Sequence, residues 1–255
     1  MNCLGGWEEI GFGLIRALQL IFSGDPEVLR ITLLSLRVSG TATLLGAAIG
    51  IPVGASIALR RFPARTLLIS LINTLMGLPP VVVGLFLYLI LSNFGPMGFL
   101  RLLYTPEAMV LAQLILVAPI TAGVTLSAVS NVDARLKEMA VSLGADSLQE
   151  VRIILREARL GLLTAIIVGF GSAISEVGAI MMVGGNLLGY TRALTTAIVL
   201  LTNQGDFTEA IALGIILLGL AFAINILLTY LQLRTKAGLF AADSDQHRHV
   251  AQSTR

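Results

Sequence analysis

Two charged side chains interrupt long apolar stretches of the sequence, and these are the first places to look for chemistry. Arg37 lies within Ile31–Leu59 and Glu176 within Gly161–Val183. A charge at mid-bilayer costs about 2.5–3.5 kcal/mol on insertion scales, so each should have a partner or a function. At about 1.5 Å of rise per residue, both lie about 10 Å below the outer surface. We therefore predict an Arg37–Glu176 ion pair that fixes the two stretches together. Alternatively, Arg37 reaches outward while Glu176 caps backbone groups or faces a wet cavity.

Uncharged polar residues in or beside these stretches are candidates for lining a solute pathway. They are Asn73, Thr74, Ser172, Ser175 and Asn186. If the solute were a dianion, the carboxylate of Glu176 would repel it. Glu176 is therefore better suited to a scaffold role than to binding such a solute. The apolar stretches contain no His, Cys or Asp, so they lack the residue sets for metal or acid–base chemistry. We therefore expect no catalytic residue, no metal site and no cofactor.

The composition predicts an all-α integral membrane protein. Hydrophobic residues make up 56% of the 255 and charged residues only 13%, about half the share usual in a soluble domain. A membrane span needs about 20 mainly apolar residues. Five segments qualify: Ile31–Leu59, Thr66–Ser92, Ala108–Ser130, Gly161–Val183 and Ala210–Leu233. They define a transmembrane domain over residues 31–233.

Two shorter apolar stretches and the chain ends need separate interpretations. Ile10–Phe22, in the extracytoplasmic N-terminal segment 1–30, is too short to span and predicts an interfacial helix. Ala193–Leu201 predicts either a re-entrant turn or a short buried helix. The tail over residues 234–255 is polar, and we expect it to lack regular structure from Asp243 onward.

Prolines and glycines within the spans indicate where the helices bend and pack. Pro79 and Pro80 interrupt the hydrogen bonding of the second span, and the resulting kink is either static or part of a gate. The fourth span carries a face of small residues, which favours close helix packing. A pore lined by this span would have the same composition. The small residues are Gly161, Gly169, Gly171, Ser172, Ser175 and Gly178.

The distribution of Lys and Arg predicts an external N-terminus and an internal C-terminus. In that orientation four basic residues lie outside, namely Arg16, Arg30, Arg101 and Arg192. Twelve lie inside, namely Arg60, Arg61, Arg65, Arg135, Lys137, Arg152, Arg156, Arg159, Arg234, Lys236, Arg248 and Arg255. They are spread over several loops and form no basic stripe, so we expect no nucleic-acid partner.

The inside loop over residues 131–160 predicts two short amphipathic helices that break at Gly144. Val151, Ile154, Leu155 and Ala158 form an apolar face at helical spacing, with Arg152, Arg156 and Arg159 opposite. Such a loop either docks a partner or lies on the membrane surface.

The loop resembles the coupling loop of bacterial ABC importer permeases. Glu138-Met139-Ala140 is followed by Gly144 and, ten residues later, Ile154. It departs from the family pattern at Met139, Arg156 and Glu157, where the family shows Ala, Leu and Pro. The resemblance implies that an ATP-binding subunit is coupled through the following residues: Glu138, Ala140, Gly144, Ala145 and Ile154.

Two further segments, Gly77–Gly84 and Ile174–Ala179, are similar to permeases of the molybdate, sulfate and tungstate group. The segments that follow, Met181–Asn186 and Gly189–Arg192, are most similar to tungstate permeases. The resemblance implies a homodimer in a bacterial or archaeal cytoplasmic membrane, with the solute pathway on its two-fold axis. It also implies an extracytoplasmic solute-binding protein and an oxyanion substrate, tungstate, with molybdate or sulfate as the alternative.

Other functional classes fit the residues less well. The chain has no G-x-x-x-x-G-K-[ST] phosphate loop, so ATP hydrolysis would need another subunit. An ion-coupled secondary transporter would favour paired repeats, and the sequence contains none. A structural assembly subunit stays open, although the coupling-loop pattern disfavours it.

Overall fold

The computed structural model describes the backbone of residues 6–60 and 62–253. Side chains are described within these ranges except at residues 6, 7, 231 and 234–253. Cys3, Arg61 and Arg255 therefore lie outside the described residues. The described chain is helical, as predicted. Its helices are α1 (Gly6–Ser23), α2 (Pro26–Leu59), α3 (Arg65–Met76), α4 (Pro80–Leu91), α5 (Pro106–Ser130), α6 (Ala134–Ser142), α7 (Ser147–Glu157), α8 (Arg159–Ile174), α9 (Gly178–Gly184), α10 (Leu194–Gln204) and α11 (Phe207–Ser253).

Five membrane spans are consistent with these helices. Among the described residues, three helical segments are long and apolar enough to cross a bilayer alone: Pro26–Leu59, Pro106–Ser130 and Phe207–Tyr230. Two bent helix pairs, α3 with α4 at 93° and α8 with α9 at 58°, bring the number to five if each pair forms one span. The predicted kink at Pro79 and Pro80 is therefore a full break. Pro80 opens a new helix, because a proline at the first helical position sacrifices no hydrogen bond.

Helices α2 and α5 form the centre of the bundle. The side chain of Asp25 accepts hydrogen bonds from the backbone N–H groups of Glu27 and Val28 at 2.9 and 3.1 Å, and so fixes the start of α2. Further along α2, Gly46, Gly50 and Gly54 lie against α5 at four-residue spacing. The hydroxyl of Thr121 on α5 donates to the carbonyl of Gly46 at 2.9 Å. Small residues at this spacing let two helix backbones approach closely.

Helices α1 and α10 both pack against α11. The Arg16 Nε of α1 lies 2.7 Å from Glu209 Oε1, and Ala17 and Leu20 are buried beside Ala212. The predicted N-terminal helix is thus present and docked on a span. In α10, Leu194 is buried with Ile31 and Leu213, which confirms the short buried helix and not a turn.

The tail prediction is wrong for the backbone, because α11 continues as a helix to Ser253. Ala237, Leu239, Ala241 and Ala242 have high helix propensity, and no proline interrupts the segment. The polar tail therefore marks the end of the apolar segment Ala210–Leu233, but the helix itself continues to Ser253.

Candidate coupling surface and pathway

The loop between α5 and α8 folds into a helical hairpin, α6 followed by α7. The carboxylate of Asp133 accepts from Arg135 N at 2.9 Å and caps α6. Asp146 and Gln149 cap α7 reciprocally, with the side chain of each accepting from the backbone N–H of the other at 2.7 and 3.0 Å. Gly144 connects the helices at φ +84°, a left-handed conformation that a glycine adopts without strain. The predicted helix–Gly–helix arrangement is therefore present.

Contacts between α6 and α7 make the hairpin a rigid unit. Lys137 Nζ of α6 lies 2.8 Å from Glu150 Oε1 of α7. At the turn, the backbone N–H of Ala145 donates to the carbonyl of Ala140 at 3.0 Å, and the side chain of Ala140 is buried. A force applied to one helix of the hairpin is therefore shared by the other.

Ile154 anchors the hairpin to the membrane helices. Its side chain is 4% exposed and packs with Ala55 of α2, Val129 of α5 and Ala158 at the junction of α7 and α8. The sequence pattern placed Ile154 on the apolar face of its helix, and this burial agrees with that placement. Ile154 thus connects α7 to α2, α5 and the start of α8.

The tip of the hairpin exposes apolar side chains that the described chain does not cover. Leu143 is 85% exposed, Leu148 79% and Met139 61%. Glu138, Arg152 and Arg156 are exposed on the same two helices. Exposed apolar groups beside charged side chains are typical of a surface that binds another protein or a membrane.

The second part of the candidate site lies where the two broken spans meet. A Cβ atom on Gly178, at the start of α9, would lie 2.6 Å from Val81 Cγ2, one residue after the proline pair. A Cβ on Gly84 of α4 would lie 2.8 Å from the Cα of Ala179. The break after Pro79 and the break at Ser175–Val177 are therefore neighbours. The sequence predicted only the first of these breaks.

Glu176 caps a helix and is not paired with Arg37. Its Oε1 accepts from the backbone N–H of Ala179 at 2.9 Å, at the start of α9, and its carbonyl accepts from Thr195 Oγ1 at 3.0 Å. The ion pairs among the described residues do not include Arg37, whose side chain is exposed beside a cavity at the first turns of α2. The predicted ion pair is wrong and the alternative of a backbone cap by Glu176 is confirmed, because the break before α9 supplies free N–H groups that hold the carboxylate.

The polar pathway candidates are only partly brought together. Ser175 is exposed at the break, and its hydroxyl donates to the Gly171 carbonyl at 2.9 Å, while Ser172 is half-buried one turn earlier. Asn73 and Thr74 are exposed on the last turn of α3, before the proline break. Asn186 lies apart from them, in the loop after α9, where its amide donates to the carbonyl of Thr196 at 3.3 Å.

Some small residues of the fourth span pack against neighbouring helices, whereas another has open space beside it. A Cβ on Gly161 would collide with Ala128 of α5, and one on Gly169 would lie 2.9 Å from Thr121 Cγ2. Gly171 has no neighbour within 4 Å of such a Cβ. The first two glycines therefore serve close packing, as predicted, whereas Gly171 has open space beside it.

Gln113 is a site residue that the sequence analysis missed. It lies on α5, is 2% exposed, and its Nε2 donates to the carbonyl of Ala173 at 2.8 Å, just before the break in the fourth span. A lone amide within the apolar run of Ala108–Ser130 was the available signal, since a buried polar group needs a hydrogen-bond partner.

The model of the family described as "Binding-protein-dependent transport system inner membrane component" matches residues 50–237. The chain belongs to this family. The matched range contains the hairpin and both broken spans.

Several similar proteins are named as permease proteins. The chain is 43% identical over 225 residues to the tungstate uptake system permease protein TupB of Peptoclostridium acidaminophilum, covering 88% of this chain and 99% of that one. It is 33% identical to TupB of Campylobacter jejuni, covering 84% and 89%. Identity to the sulfate transport system permease protein CysW of Escherichia coli is 27%, covering 93% and 84%.

Solved structures confirm the fold. A bacterial ABC transporter involved in the import of the acidic polysaccharide alginate aligns with TM-score 0.72 and 20% identity, covering 91% of this chain and 90% of that one. The inward-facing MetNI methionine ABC transporter aligns with TM-score 0.66 and 17% identity, covering 82% and 96%.

Proposed function

We propose that this protein is the transmembrane subunit of an ATP-driven importer that moves an oxyanion, tungstate, into the cytoplasm. The observation that carries the proposal is the α6–α7 hairpin. It is internally tied by Lys137 and Glu150, anchored to the spans by Ile154, and exposes apolar side chains at its tip. A rigid element of this kind is suited to receive a movement from a partner and pass it to the membrane helices.

The path of that movement leads to the two broken spans. Helix α7 ends at Glu157 and α8 begins at Arg159, so a tilt of α7 acts directly on the fourth span. At its far end α8 stops at the break that Glu176 caps, beside Val81 and the proline pair. We infer that the neighbouring breaks let the inner and outer halves of these spans move separately, so that the pathway opens to one side at a time.

The proposed transport mechanism requires three partners. An ATP-binding subunit would bind the hairpin tip on the cytoplasmic side, the side favoured by twelve basic residues against four. A second copy of this chain would complete the pathway, and an extracytoplasmic binding protein would deliver the solute. One fold relative is a bacterial alginate ABC transporter whose structure was solved in complex with a pentasaccharide-bound periplasmic protein.

The substrate assignment is supported by the relatives. Two tungstate uptake permeases are 43% and 33% identical, whereas sulfate permeases are 26–27% identical and a probable molybdenum permease of Haloferax volcanii is 31% identical. Tungstate is therefore favoured, and molybdate or sulfate is the alternative. Cells that carry the complete transporter should accumulate tungstate in an ATP-dependent way, with molybdate and sulfate competing more weakly. Stronger competition by sulfate than by unlabelled tungstate would reject the assignment.

The hairpin tip offers a direct test of the coupling role. Leu143→Ser should reduce copurification with the ATP-binding subunit, because the exposed leucine then contributes no apolar area to the contact. Phe99→Ser is the matched control, since Phe99 is 78% exposed in the loop between α4 and α5. Copurification should be unchanged in the control. Equal copurification of both variants with the ATP-binding subunit would contradict docking at the hairpin.

A further inference from the structure

A basic cavity lies at the end of the bundle opposite to the hairpin. It has a volume of about 550 Å³ and is bounded by the first turns of α2, the loop before α10 and Pro106 at the start of α5. The 34 residues of α2 correspond to a length of about 50 Å, and the hairpin packs near the other end, at Ala55. The cavity therefore does not belong to the coupling surface.

Three arginines border this cavity. Arg30 and Arg37 are exposed on α2 and make no hydrogen bond or ion pair with other described residues. The Nε of Arg192 is buried and has no hydrogen-bond partner, although Arg192 Nη1 lies 3.7 Å from Glu27 Oε1. Glu27 is the single acidic residue among those that line the cavity. The two unpaired guanidinium groups of Arg30 and Arg37, beside the partly satisfied one of Arg192, favour binding of an oxyanion such as a phosphate.

An apolar groove continues from this cavity. A second cavity of about 330 Å³ shares Arg37 and Pro106 with the first and runs between α2 and α5, along Val38, Val110 and Leu111. Glu107 is its one acidic lining residue. In the first cavity, Leu33 and Leu34 form apolar walls beside the arginines. A basic opening that leads into an apolar groove matches a molecule with an anionic head and a hydrocarbon tail.

We propose that this groove binds an anionic phospholipid of the surrounding membrane. The phosphate lies among Arg30, Arg37 and Arg192, and an acyl chain follows the groove between α2 and α5. Three arginines against two glutamates leave the combined site with net positive charge, which complements one phosphate diester. A free oxyanion shares the phosphate chemistry but would leave the apolar groove unused, so the lipid is the favoured source of the anion.

The charge requirement is tested by lipid retention. The purified full-length chain, reconstituted in discs containing phosphatidylglycerol and phosphatidylcholine, is transferred to detergent and its retained lipid is measured by native mass spectrometry. Phosphatidylglycerol should be retained over phosphatidylcholine. The Arg30→Gln/Arg37→Gln double variant should retain it about tenfold less, since each basic residue near the surface attracts anionic lipid. Equal retention of the two lipids by the unaltered chain would overturn the proposal.

The groove requirement is tested by steric blocking with a matched control. Leu33 lines the cavity, whereas Leu29, one turn earlier on α2, does not, and both are 56% exposed. Leu33→Trp should reduce retention of phosphatidylglycerol and Leu29→Trp should not, with gel-filtration profiles confirming that both variants fold. Displacement of the bound lipid by inorganic tungstate would show that the site takes free oxyanions. Full retention of the lipid by Leu33→Trp would show that the lipid binds outside this groove, and either result would overturn the proposal.

Discussion

Gln113 and Ala173 are joined by a hydrogen bond of 2.8 Å across 60 residues of sequence. The amide of Gln113 donates to the last-turn carbonyl of α8, which also accepts from the backbone N–H of Glu176 at 3.2 Å. A buried side chain of the third span thereby holds the point at which the fourth span breaks. Since the break at Glu176 lies beside the proline break, this bond links the central helix pair to the proposed moving part.

Replacing Gln113 with leucine should destabilise the fourth span at its break. The Ala173 carbonyl loses its side-chain donor, and buried hydrogen bonds between membrane helices contribute about 1 kcal/mol. Thermal unfolding of the purified protein should occur at a lower temperature for Gln113→Leu. Gln19→Leu, at an exposed position on α1, is the control and should not lower it. Equal unfolding temperatures would show that the bond does not stabilise the break.

The Lys137–Glu150 pair should matter more for transport than for stability. The side chains are 49% and 18% exposed, and ion pairs near a surface contribute about 0.2–1 kcal/mol. Lys137→Glu or Glu150→Lys alone should lower ATP-driven uptake, because like charges then separate the two helices of the hairpin. The double swap should restore uptake while thermal stability changes little. A double variant no better than either single variant would contradict the role of the pair in rigidity.

Gly144→Ala should weaken coupling through backbone strain alone. The residue has φ +84° and no atom within 4 Å of an added Cβ, so the substitution meets no steric obstacle. A left-handed conformation costs a non-glycine residue about 1–2 kcal/mol. Uptake per ATP hydrolysed should fall, whereas thermal unfolding of the spans should not change. Gly214→Ala is the control, since Gly214 lies within α11 with equal space around it.

Gly50→Ala should disrupt the central helix pair. An added Cβ would collide with Thr121 Oγ1 and lie 2.6 Å from the carbonyl oxygen of Ala118, which cannot move without displacing α5. Overpacking of this kind costs about 1–3 kcal/mol, and the backbone contacts favour the upper end. Gly40→Ala, on the same helix with nothing within 4 Å, should be neutral or slightly stabilising. Denaturant unfolding in detergent separates the two outcomes.

Substitutions of Glu176 should distinguish a helix cap from an ion pair. Glu176→Ala removes the acceptor of the Ala179 N–H and should destabilise α9 by about 1 kcal/mol. Glu176→Gln keeps an oxygen acceptor and should retain most of the stability. Arg37→Gln should leave the unfolding temperature unchanged. A Gln variant as unstable as the Ala variant, together with a destabilised Arg37→Gln, would favour the ion pair over the cap.

The sequence alone determined the elements whose signals are local. Apolar runs of sufficient length identify the spans, and Gly144 between two amphipathic stretches identifies the hairpin, because span length, helical periodicity and left-handed glycine geometry depend only on neighbouring residues. Only the tertiary structure decided which distant groups meet. Arg37 and Glu176 have matching depths, but depth does not specify which way a side chain points around its helix. The free N–H groups of α9 therefore hold Glu176, and Arg37 borders an outer cavity. The hydrogen bond between Gln113 and Ala173 and the contact between the two broken spans also depend on the orientation of each helix about its axis. Packing of the whole bundle sets that orientation.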